Sequence, residues 1–97
     1  MLIVAGTGHV DPDQRAGLLE MLVPALRHVR AEPGCLDYVL AADPIEADRV
    51  NIFERWASQA DLDAHLAAVA QSGPPMQSVR SVEIVRYEIS SSGPLAV

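Results

Sequence analysis

The chain has 97 residues, 49% of them hydrophobic, and a net charge of −6 from 7 basic and 13 acidic side chains. This length predicts one domain with a small core, and the scattered basic residues argue against nucleic acid and anionic membrane partners. No apolar run is long enough to span a bilayer, and the start of the chain lacks the basic segment of a secretion signal. We therefore expect a cytoplasmic protein.

The first third of the chain predicts a strand and then a helix. A partly β-branched segment predicts strand one over residues 2–9, where Gly6 and Gly8 suggest a bend or the close approach of another group. A capping-box-like pattern over residues 11–14 predicts the start of a helix, which Glu-Pro-Gly at 32–34 ends. The apolar stripe of this helix is Leu18, Leu19, Leu22, Leu26 and Val29.

The rest of the chain predicts three more strands and a second helix. Strand two begins at Cys35, a polar turn follows it, and strand three occupies residues 50–56. Ser58 and Asp61 form a second capping box, so a helix begins at Gln59. Its predicted inner stripe is Leu62, Leu66 and Val69.

Residues 72–75 break the second helix, and a short helical turn is expected to precede the last strand, Val82 to Ile89. The tail over residues 90–97 has no pattern of its own. The order β-α-β-β-α-β predicts an α+β, ferredoxin-like protomer with an antiparallel sheet and both helices on one face. We expect one domain over residues 1–97, with its core at about 2–89.

Strands two, three and four carry apolar or aromatic residues on both faces. A sheet with one face in water does not need this pattern. We therefore expect a homodimer in which two sheets pack face to face.

Three side chains are candidates for chemistry between the sheet and the helices. Trp56 shares one face of strand three with Glu54, and it offers a flat stacking surface for an aromatic ligand. His65 falls on or beside the apolar stripe of the second helix, and it can take a proton from a phenol or an activated carbon. Tyr38 on the neighbouring strand can donate a hydrogen bond to the same space.

Purely structural roles remain open for the same residues. His65 can be a core residue bonded to backbone, and Trp56 can simply fill the core. Glu54 can be the partner of Arg86 on the last strand, and Cys35 can be a small buried hydrophobe. No spacing typical of a metal site or a phosphate-binding loop is visible, so we expect an enzyme to work without metal or a standard cofactor.

The segments "EPGCLDYVL" and "FERWASQADLDAH" together resemble the antibiotic biosynthesis monooxygenase family of dimeric α/β-barrel proteins. The resemblance covers roughly residues 2–89. The matching residues are Glu32, Pro33, Gly34, Cys35, Tyr38, Glu54, Trp56, Ser58 and His65.

This resemblance implies a homodimer with a pocket between sheet and helices. It also implies a cofactor-independent monooxygenase that oxidises an aromatic quinol- or anthrone-like small molecule with O₂. His65 would then be the base or proton shuttle, Trp56 would orient the ring, and Tyr38 would bond a substrate oxygen.

Two departures from the family pattern keep other functions open. Where members often carry Thr-Pro-His after the helix His, this chain has "LAAVAQS", and strand one lacks the Asn on which the haem-degrading branch relies. The second departure argues against haem degradation. The alternatives are a non-catalytic ligand-binding or dimerisation module of the same fold and isomerase-type proton transfer through His65.

Overall fold

The computed structural model describes residues 1–72 and 79–96. Four strands form one antiparallel sheet in the order β2-β3-β1-β4. This order and the two connecting helices confirm the predicted α+β, ferredoxin-like fold. In chain order the elements are β1 (Leu2–Val10), α1 (Arg15–Arg30), β2 (Cys35–Ala42), β3 (Arg49–Trp56), α2 (Gln59–Gln71) and β4 (Val79–Glu88).

The predicted start of α2 is confirmed, because the amide N–H of Asp61 donates to Ser58 Oγ at 3.2 Å. The last strand begins earlier than predicted, at Val79 instead of Val82. Part of the segment predicted to form a helical turn before this strand lies outside the described residues, and residues 79–81 belong to β4.

The predicted start of α1 is wrong. The helix begins at Arg15, and Gln14 at its N-cap makes no side-chain capping bond. The carboxylate of Asp11 pairs instead with Arg80 on β4. Arg15 donates from Nη1 to the carbonyls of Asp43, Glu46 and Arg49 at 3.1, 2.8 and 3.1 Å. Asp11 and Arg15 thus bind groups that are distant in the sequence, and the predicted capping bonds at the start of α1 do not form.

The inner face of α2 also differs from the predicted stripe. Leu62 and His65 are buried, whereas Leu66 and Val69 are about half exposed. The helix therefore turns a histidine, and not the adjacent leucine, towards the sheet.

The helices cover one side of the sheet, and two clusters of buried side chains lie there. The first core consists of Leu2, Val4, Trp56 and Leu62, with Val29, Cys35 and Tyr38 packed against it. The second core consists of Val10, Leu18 and Val50, with Leu19, Leu22, Leu40 and Val79 packed against it.

Gly6 lies on β1 between the two cores. A Cβ atom there would lie 1.9 Å from the carbonyl oxygen of Glu83 on β4. This contact is impossible for a side chain, so the close approach expected at Gly6 is confirmed. The glycine allows β1 and β4 to pair at this point.

Within residues 1–72 and 79–96, no helix packs against the other side of the sheet, here called the outer face. Register places Val39, Phe53, Ala5 and Val85 in one row across all four strands. Val39, Phe53 and Val85 are 38%, 39% and 51% exposed. Among the described residues, no helix is long and apolar enough to cross a membrane.

Candidate functional site

A cleft of about 610 Å³ lies between α1, α2 and β2. This volume falls in the range of about 300–1,000 Å³ that is usual for small-molecule sites. Much of its lining is aliphatic and includes Leu22, Leu26 and Leu40. The polar side chains in the lining include Glu32, Tyr38 and His65.

His65 and Glu32 form a partly buried pair in the wall of this cleft. Nδ1 of His65 lies 3.0 Å from Oε2 of Glu32, and His65 is only 3% exposed. A carboxylate only accepts hydrogen bonds, so the neutral ring carries its proton on Nδ1. Nε2 makes no hydrogen bond to any part of the chain that the structure describes, which leaves its lone pair available as a base.

The turn after α1 brings Glu32 to α2. Gly34 has φ +78°, and a Cβ atom there would lie 2.1 Å from Asp61. The carbonyl of Gly34 also accepts the amide N–H of Ala57 at 2.8 Å. Close contact between the turn and the start of α2 therefore sets the distance between Glu32 and His65.

Trp56 lies behind His65 and is not part of the cleft lining. Its side chain is 0% exposed, and its ring stacks on the His65 ring with centroids 4.8 Å apart at 28°. Its indole N–H donates to Oε1 of Glu54 at 2.9 Å. Trp56 thus supports the imidazole from the protein interior.

Glu54 was expected to pair with Arg86, and that expectation is wrong. Both residues lie opposite Val4 on the same side of the sheet, but β1 runs between their strands. The carboxylate of Glu54 instead accepts the indole N–H of Trp56. Burial raises the pKa of Glu54, while the bond from Trp56 and the nearby His65 act in the opposite direction.

Tyr38 lines the cleft and stands edge-on to both neighbouring rings. Its ring centroid is 5.3 Å from that of His65 and 6.5 Å from that of Trp56. Burial, with the charges of Glu54 and Glu32, raises the pKa of Tyr38 to about 12. Its hydroxyl therefore keeps its proton near neutral pH and can donate a hydrogen bond into the cleft.

Cys35 lies beside this group but is poorly suited to act as a nucleophile. Burial first, and then the charges of Glu32 and Glu54, raise the pKa of its thiol. The thiolate is the reactive form, so these neighbours suppress its reactivity. Within residues 1–72 and 79–96, no group of three or more His, Cys, Asp or Glu side chains could hold a metal ion.

The structure thus brings together the three residues singled out from the sequence. Tyr38 and His65 reach the cleft, whereas Trp56 reaches only His65. The pairing of Glu32 with His65 was not predicted from the sequence. An available signal was the position of this carboxylate directly before the Pro-Gly turn, where the chain leaves the end of α1.

The family model described as antibiotic biosynthesis monooxygenase matches residues 1–72. The chain belongs to this family. A curated relative, the uncharacterized protein sll1783 of Synechocystis sp., is 33% identical over 64 residues. The match covers 66% of this chain and 44% of that protein, so the chain spans less than half the length of this relative.

Solved structures share the family fold. A candidate antibiotic biosynthesis monooxygenase from Deinococcus radiodurans has a TM-score of 0.81 at 24% identity, over 100% of both chains. PA3566 from Pseudomonas aeruginosa has a TM-score of 0.74 at 26% identity, over 93% of this chain and 94% of that one. The haem degrader MhuD from Mycobacterium tuberculosis has a TM-score of 0.73 at 15% identity, over 97% and 100%.

Proposed function

We propose that this chain is a cofactor-independent monooxygenase that oxidises an aromatic quinol- or anthrone-like small molecule with O₂. The observation that carries the proposal is the His65–Glu32 pair in the wall of a largely aliphatic cleft. The pair orients an imidazole base, and the aliphatic lining suits an aromatic ring.

In the first step Nε2 of His65 takes a proton from a phenol or an activated C–H group of the substrate. Glu32 stabilises the imidazolium that results, because its carboxylate faces the protonated Nδ1. Tyr38 donates a hydrogen bond to the substrate oxygen on which negative charge develops.

The substrate anion then supplies the electrons for O₂. One oxygen atom enters the substrate and the other leaves as water, so that a CH₂ group and O₂ give C=O and H₂O. The substrate itself is oxidised, and no external reductant is required.

In this mechanism Trp56 is a positioning residue. Its ring packs against the imidazole and its indole N–H is held by Glu54, so a ligand in the cleft meets His65 first. This role replaces direct stacking on the substrate.

The test is O₂ uptake by chelator-treated protein with a panel of dihydroxynaphthalenes and anthrones. Loss of a positioned acid–base group costs about 10²–10⁴-fold in rate, so we expect His65→Ala to lose saturable uptake. Because such substrates autoxidise, only differences between variants count. Glu20→Ala, on the exposed side of α1 and away from both the cleft and the outer face, is the control and should retain the wild-type rate.

Equal O₂ uptake by wild type and His65→Ala would contradict the proposal. Saturable ligand binding without uptake would indicate a binding module, and turnover under argon would indicate isomerase-type proton transfer. We do not propose haem degradation, although MhuD shares the fold. The helix side of β1 offers only Leu2, Val4, Val10 and two glycines, and no amide.

We also propose that the protein acts as a homodimer through its outer face. The apolar row across this face is exposed in a single protomer, and large exposed apolar patches mark interaction sites. In analytical ultracentrifugation the wild type should have a mass twice that of the 10.4 kDa chain. Phe53→Asp should sediment as a monomer, whereas Ile45→Asp, in the exposed β2–β3 turn, should remain dimeric. A monomeric wild type at micromolar concentration would overturn this assembly.

A further inference from the structure

A second, smaller cavity lies beside the second core. We call it the apolar pocket; its volume is about 110 Å³, and its walls include Gly8, Val10, Leu18, Val50 and Val82. Among the described residues, every side chain in its lining is aliphatic. A polar group buried against these walls would find no hydrogen-bond partner on their side chains, so the pocket favours an apolar occupant.

The apolar pocket adjoins the cleft that contains His65. Leu22 of α1 and Leu40 of β2 line both cavities. These two half-buried side chains form a shared wall between the two spaces. A substituent on a ligand in the cleft would therefore reach the pocket past these two side chains.

Gly8 contributes room to the pocket. It pairs with Val50 on β3 and Val82 on β4, and both valines line the same cavity. A Cβ atom at Gly8 would have Ser81 O at 3.7 Å and Val82 Cγ2 at 3.9 Å, which are ordinary contacts. A glycine is required at position 6 because the backbone of β4 leaves no room for a Cβ atom there. At position 8 a methyl group would fit, so the absence of a side chain enlarges the apolar pocket.

We propose that the apolar pocket is a subsite for a short alkyl substituent on the ligand of the cleft. This inference rests on the proposed function and narrows its substrate class to alkyl-substituted quinol-like rings. Since a water molecule occupies about 30 Å³ of liquid, the pocket holds roughly three or four groups of that size. A propyl or butyl group therefore fills it.

The test is the affinity of 1-naphthols that carry hydrogen, methyl, ethyl, propyl or hexyl at position 2, measured calorimetrically under argon. Anaerobic binding separates the measurement from turnover and autoxidation. Burial of each added carbon should tighten binding about fourfold as far as propyl, and hexyl should gain at most one further step of this size. The dissociation constant of the unsubstituted ligand should thus be about 60 times that of the propyl ligand.

Gly8→Val should reduce this ratio towards one, because its side chain fills the pocket. Gly8→Ala adds only a methyl group, which the structure accommodates, and should reduce the ratio partly. This variant replaces Gly8→Val in the test if the valine variant does not fold. Gly17→Ala is the matched control, because a Cβ atom there meets nothing within 4 Å. This variant should retain the wild-type ratio.

Three results would overturn the subsite: an unchanged ratio in folded Gly8 variants, gains that continue evenly to hexyl, or no binding of any naphthol. The proposed oxidation is judged separately by O₂ uptake. A Gly8-dependent alkyl preference without O₂ uptake would support the subsite and reject the oxidation. O₂ uptake without an alkyl preference would support the oxidation and reject the subsite.

Discussion

The first core and the second core lie on the same side of one sheet, yet they differ in character. The first contains buried Glu54 and His65 beside its apolar members, whereas the second is aliphatic throughout. Among the described residues, no buried side-chain nitrogen or oxygen lacks a hydrogen-bond partner. The carboxylate of Glu54 and Nδ1 of His65 are tolerated beside the first core because each has a hydrogen-bond partner, so the loss of a partner should destabilise that core.

Trp56→Ala and Leu18→Ala compare the two cores directly. Truncating a buried Trp costs about 3–5 kcal/mol, and here it also leaves the buried carboxylate of Glu54 without its donor. We expect Trp56→Ala to leave little folded protein, because a domain of this size has only about 5–15 kcal/mol of stability. Leu18→Ala should cost about 2–5 kcal/mol and leave a folded protein.

Circular dichroism in buffer measures how much Trp56→Ala remains folded, and urea unfolding followed by the same signal measures the loss in Leu18→Ala. The comparison fails if Leu18→Ala proves as damaging as Trp56→Ala. If both variants lost the same free energy of unfolding, the Trp56–Glu54 hydrogen bond would add nothing to the stability that apolar packing gives the first core.

Gly6→Ala tests the strand that joins the two cores. Its Cβ atom would overlap the carbonyl of Glu83, so β1 and β4 must move apart. Overpacking of this kind costs about 1–3 kcal/mol or more, and we expect a corresponding loss in the free energy of unfolding.

Gly17→Ala is the matched control for Gly6→Ala, because its Cβ atom lies in open space on α1. Replacing a helix glycine by alanine stabilises by about 0.5–1 kcal/mol. Thermal melts of both variants check the contrast. A stable Gly6→Ala protein would mean that β1 and β4 are not paired in this register.

Glu54→Gln tests the electrostatic difference between the cores. Burial raises the pKa of Glu54 above its ordinary value of 4.5. The stabilising contribution of the protonated carboxyl is thus complete below pH 4.5 and is lost as pH rises through the raised pKa. Glutamine carries no charge, and its side-chain oxygen still accepts the indole N–H of Trp56.

We therefore expect Glu54→Gln to melt above wild type at pH 7, with a gap that closes as pH falls below 4.5. Glu20→Gln, on the exposed side of α1, is the control and should change the melting temperature little. A gap that widens towards acid would mean that the ionised carboxylate stabilises the first core.

Local signals in the sequence predicted most of the fold. The Ser58–Asp61 cap, the Pro-Gly turn and the alternation of apolar residues depend only on near neighbours, and each is present in the structure. The cap predicted at Asp11 failed because Arg80, 69 residues away, takes its carboxylate. The stripe of α2 failed at Leu66 because helical spacing alone does not distinguish between adjacent residues at the edge of a face.

The sequence by itself determined the order of elements, the ferredoxin-like topology, the family and the identity of the three aromatic residues around the cleft. Tertiary structure decided their arrangement. It buried Trp56 behind His65, gave His65 a carboxylate from the turn after α1 and gave Glu54 the indole N–H. The physical reason is that hydrogen bonds and ring contacts between distant elements depend on distances of a few ångströms, which only the packed sheet and helices establish.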